Sequence, residues 1–156
     1  MSPTMRQISL SISEPALLLD PDSLTRCVAC LDAFPDFVVP PGSLNVAFLN
    51  PPQCQSLHDR FFADASLTDV MTFPGDPGDD HAGDIAICPA VAVAAAPRHN
   101  LSLARELSLY LIHGWLHLAG LDDQSRDDQA AMRIAESRLM AFLCAQKALL
   151  DPHWNP

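Results

Sequence analysis

Two histidines and an aspartate in the second half of the chain have the types and spacing of a metal site. His113 and His117 are four residues apart, so on a helix both imidazoles lie on one face and can reach the same ion. Gly120 suits the end of that helix, because a left-handed C-cap costs little without a Cβ. The chain can then turn back and present Asp123 as the third ligand, with Asp122 as the alternative.

This spacing is that of the long metalloprotease signature, which makes a peptidase one candidate function. Metalloproteases of that type carry a glutamate general base directly after the first histidine. Gly114 occupies that position here. The pattern therefore predicts a metal site and argues against peptide hydrolysis by that route.

The predicted ligands also indicate which metal binds. Two imidazoles and one carboxylate suit Zn²⁺ and leave a fourth coordination position open. We expect one Zn²⁺ per chain, held by His113, His117 and Asp123.

The composition is that of a globular protein with few positive charges. The 156 residues are 49% hydrophobic and 18% charged, which predicts one domain spanning residues 1–156 with a substantial core. The formal charge of −10, with only nine Lys and Arg, argues against general attraction to a polyanion. Affinity for RNA would have to come from a local patch, the metal or a protein partner.

No stretch has the pattern of a signal peptide or a membrane span. The N-terminal residues alternate polar and apolar side chains, and the apolar run 107–121 is short and interrupted by polar residues and glycines. We expect a cytoplasmic protein that does not contact a membrane.

Hydrophobic periodicity predicts an α+β fold. Strands are predicted over 5–12, 43–49, 68–73 and 84–88, with an exposed nine-residue loop at 75–83 between the last two. Helices are predicted from Asp22 or Ser23 as N-cap to residue 34, over 51–61, over 89–96 with an interruption at Pro97, from Ser102 to Ala119, and onward from Ser125 or Asp127, with a frayed tail at 151–156. The result is a single domain with about four strands in a mixed sheet packed against helices.

The helix that carries the histidines is apolar on nearly all sides, which is typical of a buried helix. It is expected to be the central helix of the domain. Its Glu106 is interpreted as an acid at the helix N-terminus, and Asp69 and Asp84 as carboxylates that cap turns. The other histidines are expected on the surface or in loops: His58, His81, His99 and His153.

The segment from His113 to Asp122 resembles the signature of the YbeY family, bacterial zinc-dependent endoribonucleases of ribosomal RNA maturation. Two strands also match in order: residues 68–74 (TDVMTFP) are similar to the family's TDVLSFP strand, and residues 83–87 (GDIAI) to its GDI strand. With the helix 106–122, the resemblance covers about residues 44–140. It implies an α+β fold of the kind predicted from periodicity.

The chain departs from the family pattern at two positions. Family members usually supply a third histidine where this chain has Asp123, and a carboxylate there should make the zinc a weaker Lewis acid. They commonly have an arginine six residues before the threonine of TDVLSFP, where this chain has Phe62. Arg60, two residues earlier, is the candidate catalytic residue in its place.

The resemblance implies a zinc-dependent, single-strand-specific endoribonuclease acting on the 3′ end of 16S ribosomal RNA and in ribosome quality control. It also implies partners: ribosomal RNA and the small ribosomal subunit, with ribosomal proteins or an Era-type GTPase. The alternative is a ribosome-associated assembly factor with a structural metal and little or no cleavage, which the acidic charge, Phe62 and Asp123 favour. The general base, the cleavage site and the oligomeric state are left open by the sequence.

Overall fold

The computed structural model describes residues 5–156, which form strands and helices in the order of an α+β protein. The strands are β1 (Ile8–Ile12), β2 (Leu17–Leu19), β3 (Ser43–Phe48), β4 (Val70–Pro74), β5 (His81–Ile87) and β6 (Pro152–Trp154). The helices are α1 (Pro21–Ala33), α2 (Pro51–Phe62), α3 (Pro89–Arg98), α4 (Leu103–Leu118) and α5 (Arg126–Ala145). The predicted α+β class is confirmed.

The main sheet has the strand order β1-β3-β5-β4. Strands β1, β3 and β5 are parallel, and β4 pairs antiparallel with β5, so the predicted four-stranded mixed sheet is confirmed. Alternate residues of β3 and β5, such as Val46 and Ile85, are buried on one face of the sheet. That face forms the core with α4.

Helix α4 is the buried centre of the fold, as predicted. Leu107, Leu111 and Trp115 on successive turns are completely buried. Ser102 is the N-cap, and its hydroxyl accepts a hydrogen bond from the Arg105 backbone N–H at 3.2 Å. Apolar as α4 is, no helix within residues 5–156 is both long and apolar enough to cross a membrane.

The caps of two further helices show where local sequence signals succeed and fail. The N-cap of α1 is Asp20, which accepts from the Asp22 backbone N–H at 3.0 Å, so the predicted caps Asp22 and Ser23 were wrong. Pro21 belongs inside the first turn, where its missing N–H costs nothing. Helix α2 begins with a capping box between Asn50 and Gln53.

The connection between β4 and β5 is shorter than the predicted loop at 75–83. Strand β5 already begins at His81, because Ser43 of β3 pairs with it and its hydroxyl lies 2.9 Å from His81 Nδ1. The remaining turn contains a short 3₁₀ helix at Pro77–Asp79. The connection therefore consists of residues 75–80 and not of the nine predicted residues 75–83.

The predicted frayed tail at 151–156 was also wrong. Strand β6 pairs antiparallel with β2, with Trp154 opposite Leu17. The Asp151 backbone N–H donates to Ser23 Oγ at 3.0 Å, which holds the tail against the first turn of α1. A three-residue strand is too short to show an alternating pattern, and its partner lies at the other end of the described chain.

Helix α3 continues past the predicted interruption at Pro97 and ends at Arg98. Proline in the last turn removes only one intrahelical hydrogen bond, so the helix tolerates it there. The His99 backbone N–H then donates to Ala95 O at 3.1 Å and closes the helix.

Candidate metal centre

The last turns of α4 bring the two predicted histidines together. His113 and His117 are partly exposed on one side of this otherwise buried helix, with ring centroids 4.6 Å apart. Their Nε2 atoms face each other at 3.0 Å. The four-residue spacing has therefore placed both donors at one point, as expected from helix geometry.

The turn after α4 adds the carboxylate. Gly120 has a φ of +99°, and the Leu121 backbone N–H donates to Leu116 O at 3.0 Å, so the chain reverses as the sequence predicted. Asp123 Oδ2 then lies 3.3 Å from the Nε2 atoms of both His113 and His117. These three residues form a group whose donor atoms can hold a single metal ion.

The alternative ligand Asp122 has a different local role. Its Oδ1 accepts a hydrogen bond from the Asp123 backbone N–H at 2.8 Å. Asp122 lies at the rim of the same cavity but outside the three-residue group. Its carboxylate helps to shape the turn that presents Asp123.

Both imidazoles are oriented through their second nitrogen. His117 Nδ1 lies 3.0 Å from the backbone oxygen of Leu121, and donation to that oxygen leaves Nε2 unprotonated for a metal. His113 Nδ1 lies 3.5 Å from Glu136 Oε2 on α5. The hydrogen bond and negative charge of Glu136 raise the pKa of His113, against the opposing effect of burial.

Glu136 was missed by the sequence analysis, although a signal for it exists. It lies four residues after Met132 and next to Ala135, both buried on the face of α5 that packs into the core. A partly buried acid at the edge of an apolar stripe is unusual, because a carboxylate is rarely buried without a partner. Here the partner is His113.

The three donors line a cavity of about 470 Å³ between α4 and the edge strand β4. Asp69, at the start of β4, is part of its wall and contributes to the raised pKa of His113. As expected, Asp69 Oδ1 also makes a local bond, to the Val70 backbone N–H at 2.8 Å. His58 and Phe62 of α2 also line this cavity, so His58 belongs to its wall and not to a loop away from the site.

Arg60 does not line this cavity. It borders a second cavity of about 800 Å³ between α2 and strands β3 and β5. Its guanidinium lies 5.4 Å from the centre of the Phe61 ring. Asp84 lines the second cavity too, and accepts a hydrogen bond from Asn45 Nδ2 at 2.7 Å.

Glu106 differs from its interpretation as a simple acid at a helix N-terminus. It is completely buried, and its carboxylate accepts hydrogen bonds from the Tyr110 hydroxyl at 3.0 Å and from His99 Nδ1 at 2.9 Å. Burial, followed by the charge and hydrogen bond of Glu106, raises the pKa of Tyr110. This cluster joins the end of α3 to α4, two turns before His113.

Fold and site together define an α+β protein whose central helix presents two imidazoles and, after a tight turn, one carboxylate to a cavity. The sequence model of the family described as endoribonuclease YbeY matches residues 25–143. This chain belongs to that family.

Individual relatives agree with this assignment. The endoribonuclease YbeY of Chlamydia pneumoniae is 36% identical over 114 residues, which cover 67% of this chain and 72% of the relative. That of Maricaulis maris is 34% identical over 116 residues, covering 74% of this chain and 70% of the relative. A Thermotoga maritima protein of known solution structure has the same fold, with a TM-score of 0.61 and 23% identity over 90% of this chain and 91% of that chain.

Proposed function

We propose that this chain is a zinc-dependent endoribonuclease that cuts single-stranded ribosomal RNA, at the 3′ end of 16S ribosomal RNA, during maturation and quality control of the small subunit. One observation carries the proposal. His113 Nε2, His117 Nε2 and Asp123 Oδ2 form a triangle with sides of 3.0, 3.3 and 3.3 Å at the wall of an open cavity.

The size of this triangle supports zinc. In a tetrahedral site with zinc bonds of about 2.0–2.1 Å, neighbouring ligand atoms are about 3.3–3.4 Å apart. The donors of this chain are already near that separation. Two of the three donors are imidazole nitrogens, whereas magnesium and calcium prefer sites made of oxygen ligands alone. The ligand set therefore argues against these two ions.

The exposure of the ligands supports catalysis over a structural metal. The side chains of His113 and His117 are 25% exposed and that of Asp123 is 40% exposed. Structural zinc sites are closed by four protein ligands, whereas catalytic sites keep one position for water or substrate. Three ligands beside a cavity are therefore more consistent with an enzyme than with an assembly factor.

Zinc in this position would supply a Lewis acid and a water of lowered pKa for attack on a phosphodiester. The chain's own residues prepare the site for that chemistry. Glu136 and the backbone oxygen of Leu121 fix the two imidazole rings, so that both Nε2 atoms point into the cavity. Asp69 is a further carboxylate of the cavity wall, and its negative charge acts on His113.

Targeting of the RNA would depend on partners. A formal charge of −10 gives little general attraction to RNA, so binding to the small subunit would be directed by ribosomal proteins or an Era-type GTPase in the cytoplasm. The names of the relatives, which specify an endoribonuclease, support the reaction class.

The test combines metal content with cleavage. Protein purified without a metal-binding tag is analysed for metal per chain and incubated with precursor ribosomal RNA. The unmutated chain should hold one zinc and cut the RNA, and His117→Ala and Asp123→Ala should lose both properties. His153→Ala, which changes an exposed histidine of β6, is the matched control and should behave as the unmutated protein.

Two results would contradict the proposal. Unmutated protein that holds no zinc would remove the metal mechanism. Zinc-loaded protein that leaves the RNA intact, together with an Asp123→Ala variant that unfolds, would indicate a structural metal, because loss of a catalytic ligand should leave the fold in place.

A further inference from the structure

Three phenylalanines form a partly exposed ridge beside the candidate metal centre. Phe61 and Phe62 are the last two residues of α2 and remain 53% and 52% exposed. Both pack against Phe73 of β4, with ring centroids 5.0 Å and 6.2 Å away. We call these three residues the aromatic ridge. Phe73 therefore supports the rings of Phe61 and Phe62, which keep about half of their surface open to solvent.

The aromatic ridge lies between the two cavities described above. Phe62 lines the metal cavity together with His113 and His117. Phe61 and Phe73 line the second cavity, between α2 and the sheet. A flexible chain that runs from the metal ligands over the ridge into the second cavity lies along these rings.

The charges around both cavities favour contacts to bases over contacts to phosphates. Among the described residues that line either cavity, Arg60 is the only lysine or arginine. The metal cavity instead presents acids, including Asp69 and Asp122. An RNA strand held here gains little from phosphate neutralisation, which is the usual source of affinity.

Aromatic side chains supply the missing attraction. Bases of single-stranded RNA stack on exposed aromatic rings whatever their sequence, because every base has a flat π face. The guanidinium of Arg60 lies over the Phe61 ring, 5.4 Å from its centre, so its own plane adds to the stacking surface and its charge can meet the adjoining phosphate. Paired bases in a duplex cannot reach such a surface, because they remain stacked on one another.

We propose that the aromatic ridge is the base-binding platform of the site: one unpaired base stacks on Phe62 beside the metal ligands, and the next stacks against Phe61 and the Arg60 guanidinium above it. The platform selects single-stranded RNA and positions the phosphate between or next to these bases at the metal. This inference rests on the proposed function, because continuity of the ridge with the metal cavity identifies RNA as its occupant.

The test measures binding separately from cleavage. The probe is a short single-stranded RNA with 2′-O-methyl sugars and a terminal fluorophore, titrated with the zinc-loaded protein and followed by fluorescence anisotropy, and gel electrophoresis after each titration verifies that the strand is intact. Phe62→Leu and Phe61→Leu keep an apolar side chain but lose the π face, and each should weaken binding by about 5- to 150-fold. Phe62→Trp keeps a π face and should therefore bind the probe as tightly as the unmutated protein, in contrast to Phe62→Leu. Ile134→Ala, which changes an exposed apolar residue on α5, is the control and should have no effect.

Two further probes identify the contact as base stacking. An oligonucleotide with abasic positions should bind the unmutated protein weakly, and Phe62→Leu should weaken it no further. A duplex of the same sequence should also bind weakly. Equal binding of the intact and abasic strands, or unchanged binding by both leucine variants, would overturn the platform and leave the ridge for another occupant.

The outcomes also separate this inference from the proposed function. If His117→Ala abolishes cleavage while Phe62→Leu and Phe61→Leu bind and cut normally, the metal mechanism holds and the platform is wrong. If both leucine variants lose binding while His117→Ala cuts as well as the unmutated chain, the platform holds and the metal mechanism is wrong.

Discussion

A Cβ added to Gly114 would lie 2.7 Å from Ile85 Cγ2, since α4 crosses β5 at this point with no space between them. Gly114 is the position that carries the general base in the metalloprotease signature. In this protein the position is buried against the sheet, so a glutamate could not be placed there without moving the helix. The contact gives a physical reason for the absence of the peptidase base.

The methyl group added in Gly114→Ala overpacks the core at a cost of about 1–3 kcal/mol, so we predict a net destabilisation of up to about 2 kcal/mol. The net value allows for the gain of about 1 kcal/mol that alanine normally brings inside a helix. Denaturant unfolding measures the difference. Gly78→Ala, whose methyl group would meet only the flexible Asp76 side chain, is the control and should change stability little. A Gly114→Ala variant as stable as the unmutated chain would show that the helix can move away at small cost.

Glu136 should matter for metal affinity rather than for folding. We predict that Glu136→Ala weakens metal binding by about 10- to 100-fold, because His113 loses the group that orients its ring. Glu136→Gln can still accept a hydrogen bond, so its metal affinity should lie between that of Glu136→Ala and that of the unmutated protein. Titration against a chromogenic chelator measures the affinity, with Ser137→Ala on the exposed side of α5 as the control. Full affinity in Glu136→Ala would mean that the ring is held by packing alone.

Tyr110 is the only tyrosine of the chain, so tyrosinate absorbance reports on it directly. Its pKa is raised by burial and by the neighbouring Glu106, so ionisation should begin well above the ordinary value of about 10. Glu106→Gln removes the charge and should lower this pKa, although burial keeps it above the ordinary value. Glu14→Gln, which changes another buried acid, is the control.

The same shift predicts how stability depends on pH. The folded state holds the Tyr110 proton more tightly than the unfolded state does. The associated stability is fully present below about pH 10 and is lost as the pH rises through the raised pKa of the folded protein. Alkaline unfolding should therefore coincide with the rise in tyrosinate absorbance. A tyrosinate signal that appears at the ordinary value in the folded protein would contradict the burial of this hydroxyl.

Arg6 should contribute more to stability than its position near the start of the chain suggests. Its guanidinium forms two bonds to Asp32, at 2.8 and 2.9 Å, donates to the backbone oxygens of Pro40 and Gly42, and lies 5.3 Å from the Trp115 ring. Only 8% of this side chain is exposed.

Lysine cannot reproduce the planar fork of the Arg6 side chain, so we predict that Arg6→Lys costs about 2 kcal/mol of unfolding free energy. Thermal or denaturant unfolding measures this cost. Arg26→Lys changes an exposed pair whose atoms are 3.9 Å apart and should cost less than about 0.5 kcal/mol. A cost for Arg6→Lys as small as that for Arg26→Lys would show that Asp32 and the carbonyl groups are satisfied by water.

The elements that the sequence predicted well are those with strong local signals. The apolar character of α4 and its Ser102 cap identified the buried helix, and the alternation around Val46 identified a central strand. The failures have non-local causes. Strand β6 forms only because β2 lies beside it, and the extra residues of β5 form because Ser43 pairs with His81.

The site divides in the same way. Helix periodicity and the Gly120 turn predicted that His113, His117 and Asp123 meet, because their spacing is local. Glu136 comes from another helix, and the approach of Phe62 to the metal cavity depends on how α2 packs against β4. Sequence spacing contains no information about such packing.

The pairing of β2 with β6 has a consequence for synthesis of the protein on the ribosome. Residues of β2 emerge early, but their partner exists only after the chain has been made through Trp154. The backbone of Leu17–Leu19 therefore has no strand partner until β6 has been synthesised. Closure of this small sheet, and with it the anchoring of the first turn of α1 by Asp151, therefore follows the synthesis of all the other strands and helices described here.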